Sequence, residues 1–415
     1  MIRLSDNVTR RLRLTSGIAL VLVLVLVTAS SPLLAQTPAT RAEALSDARE
    51  QKEQSAEPYQ FNFLERTMTY LEERPLFGRD GLYPKLGSLT TGSGLVYGIG
   101  YRTREPFRRY GTLDVWTAAS ARKYWAAEAR ATFPALAGGR IFAEGYASRR
   151  DYPQERFFGV GPDSQRGNMT DYLLLTNTVG GRAGVRPVSP ILVGGGLDYV
   201  KPYIGDGRSG TIPSISNVFS DTTAPGLSAQ PTFIRSFAFA EVDYRQPKNA
   251  RKGGLYRVDF SHYEDRDLNA YSFNRVDVDL QQAFSILAER RVFTVRAAMT
   301  TTDVNAGQQI PFYLMPTLGG NDTLRGFREY RFRGPHSLLL QGEYRFEIWS
   351  ALDGAFFYDT GKVAERRSDL DRHNLEHDYG FGFRFNTDNG VIMRADAGFG
   401  SRDGKHFYLV FGGRF

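Results

Sequence analysis

From about residue 79 to the last residue, apolar and charged side chains alternate with a period of two. In Leu338–Ile348, for example, Leu340 and Tyr344 lie on one face, and Glu343 and Arg345 lie on the other. Successive side chains of a β-strand point to opposite faces of its sheet. Each such stretch therefore predicts a strand with one apolar face and one face that is charged rather than merely polar.

The connections between these stretches alternate between short and long. The short ones are 187–190, 249–254, 288–291, 350–353 and 387–390, and the long polar ones are 151–169, 204–230, 304–337 and 364–378. A soluble β-sandwich also alternates, but its turns are mostly short throughout. Short turns on one side and long loops on the other are typical of an outer-membrane barrel whose charged face lines the lumen. We therefore predict an all-β, transmembrane antiparallel barrel over residues 79–415.

The number of strands adds a further constraint. Fifteen predicted strands lie near 93–103, 111–120, 123–134, 139–149, 171–186, 190–203, 232–245, 253–264, 272–286, 291–302, 338–349, 352–361, 379–387, 391–400 and 406–415. Bacterial single-chain barrels have an even number of strands, so a further weak strand is expected near 79–88, giving about sixteen. Pro84 suits an edge strand there, where a missing N–H donor is tolerated. The seam between the first and last strands would then be poorly paired.

Composition is consistent with a barrel and excludes other classes. Beyond the N-terminus no apolar run approaches the length of a membrane-spanning helix, and the mean hydropathy is -0.35. A helical membrane protein is therefore excluded. The chain has 43 Gly, 29 Phe and 22 Tyr, which suits many short strands and turns, and it has no cysteine. An exported chain without disulfides depends on hydrogen bonding and packing, as a membrane barrel does.

The N-terminus predicts export. A basic segment with Arg3, Arg10, Arg11 and Arg13 precedes the apolar run 17–27, and a small-residue cleavage site ends at Ala35. Residues 1–35 therefore predict a cleaved signal peptide. The alternative is a membrane anchor, for which the apolar run is short. Removing this segment lowers the formal net charge from +7 to +4, because it takes away four Arg and one Asp. So small an excess argues against a nucleic-acid partner.

Residues 36–78 predict a periplasmic segment without a globular domain of its own. Residues 36–60 are polar and charged, whereas 61–74 place apolar residues near helical spacing, which predicts one short amphipathic helix. Such a helix would plug the barrel, contact a periplasmic partner or simply pack beneath the wall.

Four segments carry a family resemblance. GGNDTLRGF (319–327), QGEYRFE (341–347), AFFYDTGKV (355–363) and FYLVFGGRF (407–415) together resemble the BamA/TamA superfamily of outer-membrane barrels, the bacterial surface antigen family. The most specific element is the loop motif, a hydrophobic residue followed by Arg-Gly-Phe. In that family the loop folds back into the lumen, and its arginine contacts carboxylates on the next two strands.

The resemblance assigns roles to particular residues here. Arg325 would be the loop arginine, with Glu343 and Asp359 as its partners. The motif comprises Gly319, Gly320, Leu324, Arg325, Gly326 and Phe327, and the implied C-terminal assembly signal comprises Phe407, Leu409, Phe411 and Phe415. Alternation independently puts both carboxylates on the lumenal face, and a desolvated guanidinium needs such acceptors. The alternative is that these charges are scattered and solvated in a wide pore.

The same resemblance implies a function less specifically than a fold. Family members that insert barrels or secrete proteins normally carry periplasmic POTRA domains, and residues 36–78 are too few for one with a linker. We expect a non-enzymatic outer-membrane protein, without cofactor, that acts in membrane-protein insertion, translocation or lipid handling through the seam. The alternative is a passive pore or structural barrel. Expected partners are outer-membrane lipid and lipopolysaccharide, the assembly machinery that inserts the barrel, and a separate periplasmic protein.

Two other patterns point to chemistry less strongly. His373, Glu376 and His377 match H-x-x-E-H, a zinc-protease pattern, but that chemistry needs both histidines on one helical face, and these lie in a predicted loop. We therefore predict a solvated loop and no metal site. His262, at the end of a predicted strand, is interpreted as a wall residue rather than a lipase base, since no G-x-S-x-G elbow accompanies it.

Overall fold

The computed structural model of the protein describes residues 80–107, 110–245, 251–287, 290–349, 351–387, 390–400 and 403–411. The predicted signal peptide, the predicted helix at 61–74 and the C-terminal Phe415 lie outside the described residues.

The described residues form strands almost throughout. The sixteen wall strands are β1 Gly81–Gly87, β2 Val96–Thr103, β3 Thr112–Ser120, β4 Trp125–Ala135, β5 Ile141–Phe157, β6 Thr170–Val185, β7 Ile191–Asp206, β8 Phe233–Asp243, β9 Gly253–Asp265, β10 Phe273–Ile286, β11 Arg291–Val304, β14 His336–Trp349, β15 Leu352–Ala364, β16 Glu376–Thr387, β17 Gly390–Gly400 and β18 Gly404–Phe411. Two short strands, β12 Thr317–Leu318 and β13 Phe332–Arg333, pair with each other inside a long connection.

The wall strands form one antiparallel sheet in sequence order, and β11 pairs directly with β14. The sheet is a nearly closed barrel of sixteen strands, so the predicted fold class and strand number are confirmed. The weak strand expected near 79–88 is β1, which carries Pro84 opposite Ile99 of β2.

Helices are few and short in the described part of the chain. They are a four-residue α-helix at Leu136–Gly139 and 3-10 turns at Glu105–Phe107, Arg166–Asn168, Ile215–Asn217, Phe312–Leu314 and Arg367–Asp369. Of the helices within the described ranges, none has both the length and the apolar character needed to cross a membrane.

The alternation of the sequence appears in the wall as exposed apolar and buried charged side chains. On β14 and β15, Tyr344 and Tyr358 are exposed, whereas Glu343 and Asp359 are 3% and 0% exposed. A soluble protein buries its apolar residues and exposes its charges. The opposite distribution places lipid on the outer face and a polar interior within the barrel.

Of the strands that extend past their predicted ends, β5 does so by the largest number of residues. The sequence predicts an end near residue 149, but β5 continues to Phe157, which lies opposite Thr170 of β6. A register shift between Tyr152 and Glu155 accompanies the extension. Both residues and Phe157 are buried, because the extension packs against the long connections. The predicted loop 151–169 therefore begins too early, because its first residues belong to β5.

The long connections all lie at one end of the barrel, because each joins an odd wall strand to the next one in an antiparallel order. They pack around a hydrophobic group that we call the loop cluster: Phe157, Tyr172, Val200, Ile204, Ile215, Ala224, Phe233, Phe312 and Tyr313. Arg333 lies against this cluster and is 3% exposed. It donates to the backbone oxygen of Phe312 (2.7 Å) and to the hydroxyl of Tyr172 (3.2 Å).

Candidate functional site

The arginine-rich connection between β11 and β14 contains a compact turn that we call the 319–334 loop. Gly319 and Gly320 have φ angles of 111° and 103°, which side chains other than hydrogen rarely allow. The N–H of Gly320 donates to the oxygens of Leu324 (3.1 Å) and Phe327 (3.2 Å), which closes the turn. Leu324 and Phe327 are fully buried.

The apolar side of the loop packs onto the wall. Leu324 and Phe327 belong to a cluster with Leu318, Phe332, Leu339 and Val363. Leu339 and Val363 lie on β14 and β15, so this packing holds the loop against the strands that follow it. Burying apolar side chains on this side leaves Arg325 at the tip of the turn to face the charged interior.

Arg325 lies between Asp359 on β15 and Glu343 on β14. Its Nε and Nη2 donate to the two oxygens of Asp359 at 2.7 and 2.8 Å, and its Nη1 donates to Oε2 of Glu343 at 2.7 Å. The guanidinium lies 3.6 Å from the ring centre of Phe357. Arg325 itself is 1% exposed. Burial lowers its pKa, but Asp359 and Glu343 outweigh this and hold the pKa above its ordinary value, so Arg325 stays charged.

Glu343 is shared by three arginines. Besides Arg325, it accepts from Nε of Arg345 at 2.7 Å and from Arg384 of β16 at 2.6 and 3.0 Å. Arg384 also donates to Asp396 of β17 at 2.6 Å. The charged cluster therefore extends across four consecutive wall strands. Alternation places Arg384 and Asp396 on the lumenal face, but nothing in the sequence singles them out as members of this cluster.

Further wall side chains hold the start of the loop. Arg394 of β17 donates to a side-chain oxygen of Asp322 at 2.6 Å and to the backbone oxygen of Asn321 at 2.8 Å. Gln341 of β14 donates to the oxygen of Thr323 at 2.7 Å, and Arg296 of β11 to that of Asp322 at 3.1 Å. These bonds satisfy backbone groups that would otherwise be buried without partners.

Glycines allow the tip of the loop to approach β17 closely. A Cβ at Gly398 would lie 2.3 Å from the oxygen of Arg325, and one at Gly400 would lie 2.0 Å from the oxygen of Gly326. A Cβ at Gly326 itself would lie 2.4 Å from the N of Gly400. Backbone therefore packs on backbone here, which no larger residue would permit without a shift.

The C-terminal part of the chain is similar to a known protein family. Residues 245–415 match the model of the Omp85 superfamily domain. The 319–334 loop, its carboxylate partners and Arg384 all lie within the residues that match this family model. None of the curated proteins matches the chain in sequence.

Solved structures share the fold over most of the chain. The crystal structure of BamA from Haemophilus ducreyi lacking POTRA domains 1–3 is 12% identical, with a TM-score of 0.60, over 80% of this chain and 70% of that chain. CdiB from Escherichia coli is 13% identical, with a TM-score of 0.53, over 79% of this chain and 61% of that chain. At such identities the likeness concerns the fold alone, a β-barrel of the BamA type.

The other residues that sequence patterns single out lie apart from the charged cluster. Phe407 and Leu409 of β18 are exposed on the outer face, whereas the side chain of Phe411 and all of Phe415 lie outside the described residues. Glu376 and His377 begin β16, while His373 lies in the preceding connection with Nδ1 at 2.8 Å from Asp371. His262 on β9 contacts Asn274 of β10, with Nδ1 at 2.8 Å from the amide oxygen. Within the described ranges no group of His, Asp or Glu is arranged to hold a metal ion.

Proposed function

We propose that this protein inserts or translocates other proteins at the outer membrane through the seam between β1 and β18, without enzymatic activity. The observation that carries the proposal is the pair of edge strands. In the described residues, the sheet begins at β1 and ends at β18, and no register joins the two, although they approach each other. An edge strand with unpaired N–H and C=O groups is a template for another strand.

The charged cluster supports a function other than steady conduction. Arg325, Glu343 and Asp359 are almost completely buried, whereas charges that line a wide aqueous pore are solvated. Burying this many charges costs free energy unless they are paired. The pairing therefore holds the loop in one defined position. A loop held inside the lumen narrows the path along the barrel axis and leaves the seam as the other route.

The proposed partners follow from the surfaces. Leu82, Leu86 and Tyr97 near the seam are exposed on the outer face, which suits contact with outer-membrane lipid, including lipopolysaccharide at its outer leaflet. We also propose that the exposed Phe407 and Leu409, with Phe411 and Phe415, form the signal that the assembly machinery reads when it inserts this barrel. We also propose a separate periplasmic partner protein that delivers substrates to the seam.

An insertion assay together with planar-bilayer recordings tests the proposal. The full chain is reconstituted in vesicles, a small outer-membrane barrel is added from urea, and its folding is followed by gel mobility. We expect faster folding than in vesicles that carry an unrelated barrel of similar size, and only small or brief conductance. Steady large conductance without any effect on the added barrel would overturn the proposal in favour of a passive pore.

A further inference from the structure

The 319–334 loop contacts both edges of the sheet. Its contacts reach the connection 88–95, which follows β1, and they also reach β18 and the residue that precedes it. These two edges share no register with each other in the part of the chain that the structure describes. The loop is therefore a third element that joins the first strand pair to the last one from inside the barrel.

Neutral side chains make the hydrogen bonds at the first edge. Oγ1 of Thr91 donates to Oδ1 of Asn321 at 2.6 Å. The hydroxyls of Thr90 and Tyr330 are hydrogen-bonded to each other, and the hydroxyl of Tyr330 also donates to the oxygen of Thr91 at 3.4 Å. Thr90 and Thr91 are partly exposed. These bonds belong to the weaker, neutral class and can exchange with water.

The last edge is held by charged and fully buried groups. Nε of Arg331 lies 3.3 Å from Oδ1 of Asp403, with side-chain exposures of 3% and 0%. The N–H of Arg328 donates to the other oxygen of Asp403 at 3.3 Å, and the hydroxyl of Tyr408 donates to the oxygen of Phe327 at 2.8 Å. Hydrogen bonds to ionised groups are stronger than neutral ones. The glycine packing against β17 adds to this side.

The backbone of Tyr330 has an uncommon conformation. Its φ is 56°, in the left-handed region that bulky residues rarely occupy. Such a conformation persists only where surrounding contacts determine it, and it marks places where a change of structure relieves strain. Here it lies at the residue that contacts the first edge, so release of that contact would also relieve the strained backbone.

We propose that the 319–334 loop is a clamp across the seam, and that the seam opens by release of its neutral contacts to Thr90 and Thr91 while the loop stays attached to β14–β18. The inference rests on the proposed function, because it assigns control of the same seam. The moving part is the β1–β2 hairpin. The loop and the charged cluster around Arg325 stay with the last strands.

Spin-label distances across the seam test the clamp directly. The chain has no cysteine, so Leu86→Cys on β1 and Lys405→Cys on β18 introduce the only two labelling sites, both at exposed positions near the long-loop end. Distances are measured in the full chain in phosphatidylethanolamine–phosphatidylglycerol vesicles. The test variants are Thr90→Val with Thr91→Val, and separately Tyr330→Phe, which removes the partner hydroxyl. Either variant alone is sufficient if the other does not fold.

Two matched controls accompany these variants. Tyr408→Phe removes one hydroxyl from the last-edge side. Thr117→Val removes a hydroxyl that donates to Ala126 within the wall between β3 and β4. We expect the first-edge variants to raise the population of long distances by roughly tenfold, about the factor for losing one or two net hydrogen bonds. Both controls should leave the distribution unchanged.

Two results would overturn the inference. An equal or larger effect of Tyr408→Phe would reverse the order of release, and unchanged distances in every variant would show that the loop does not clamp the seam. The insertion assay on the unlabelled wild-type chain is independent of both. If the distances respond but no insertion occurs, the proposed function fails while the clamp stands. If insertion occurs and the distances do not respond, the clamp alone fails.

Discussion

Arg325 and Asp359 form a two-bond ion pair inside the barrel, with Nε–Oδ2 and Nη2–Oδ1 distances of 2.7 and 2.8 Å, although 34 residues separate them. Their side chains are 1% and 0% exposed. Removing one charge from such a pair leaves the other buried without compensation, whereas exchanging the two charges preserves the attraction. This difference makes the pair the first target for testing the loop.

Charge reversal at either residue should impair folding of the barrel. We expect Arg325→Asp and Asp359→Arg each to cost about 3–5 kcal/mol, the usual range for breaking a buried pair. The double exchange should recover part of this, though not all, because Glu343 also contacts Arg325. Urea titration of gel mobility in detergent micelles measures the free energy of unfolding. Additive damage in the double variant would contradict direct pairing.

Loss of the Arg384 side chain should destabilise the barrel nearly as much as loss of Arg325. It makes two bonds to Glu343 and one to Asp396, and it is 2% exposed. We expect Arg384→Met to destabilise the barrel by about 3 kcal/mol. The matched control is Arg266→Met, whose pair with Glu264 is about half exposed. That change should cost at most about 1 kcal/mol. Equal effects of the two substitutions would show that the buried cluster adds no stability.

The glycine contact between the loop tip and β17 predicts a steric effect. A methyl group at Gly398 would lie 2.3 Å from the backbone oxygen of Arg325. We expect Gly398→Ala to destabilise the barrel by about 1–3 kcal/mol, because neither backbone can yield easily. Gly145→Ala on β5 is the control, since its methyl group would meet nothing within 4 Å. The same urea titration compares them, and indistinguishable midpoints would rule out the close approach.

Arg333 should hold the loop cluster together. Its guanidinium lies 5.6–5.9 Å from the ring centres of Phe157, Tyr172 and Phe312. A desolvated cation–π contact contributes about 2 kcal/mol, so Arg333→Met should loosen the long connections. Trypsin cleavage after the exposed Arg208, in one of these connections, should become roughly tenfold faster, as expected for a smaller free energy of local opening. Arg266→Met again provides the control. An unchanged cleavage rate would place the stability of the cluster in its aromatic packing alone.

Much of the fold follows from local pattern. A period of two identifies a strand, and the nature of the two faces shows which one is lumenal, so the wall strands from 93–103 onward were predictable. β1 was predictable only through the requirement for an even number. The end of β5 was not predictable from the sequence, because its last residues are buried against loops that are distant in sequence.

The sequence by itself determined the strands and placed Glu343 and Asp359 on their lumenal faces, whereas the inward position of Arg325 was implied only by the family resemblance. Only the tertiary structure decided that Arg384 and Asp396 join this cluster and that the same loop contacts both Thr91 and Tyr408. The physical reason is that alternation is a property of each strand alone. Which side chains of different strands lie at the same level along the barrel axis depends on the register between strands and on the path of the loop. Neither can be read from the pattern of a single strand.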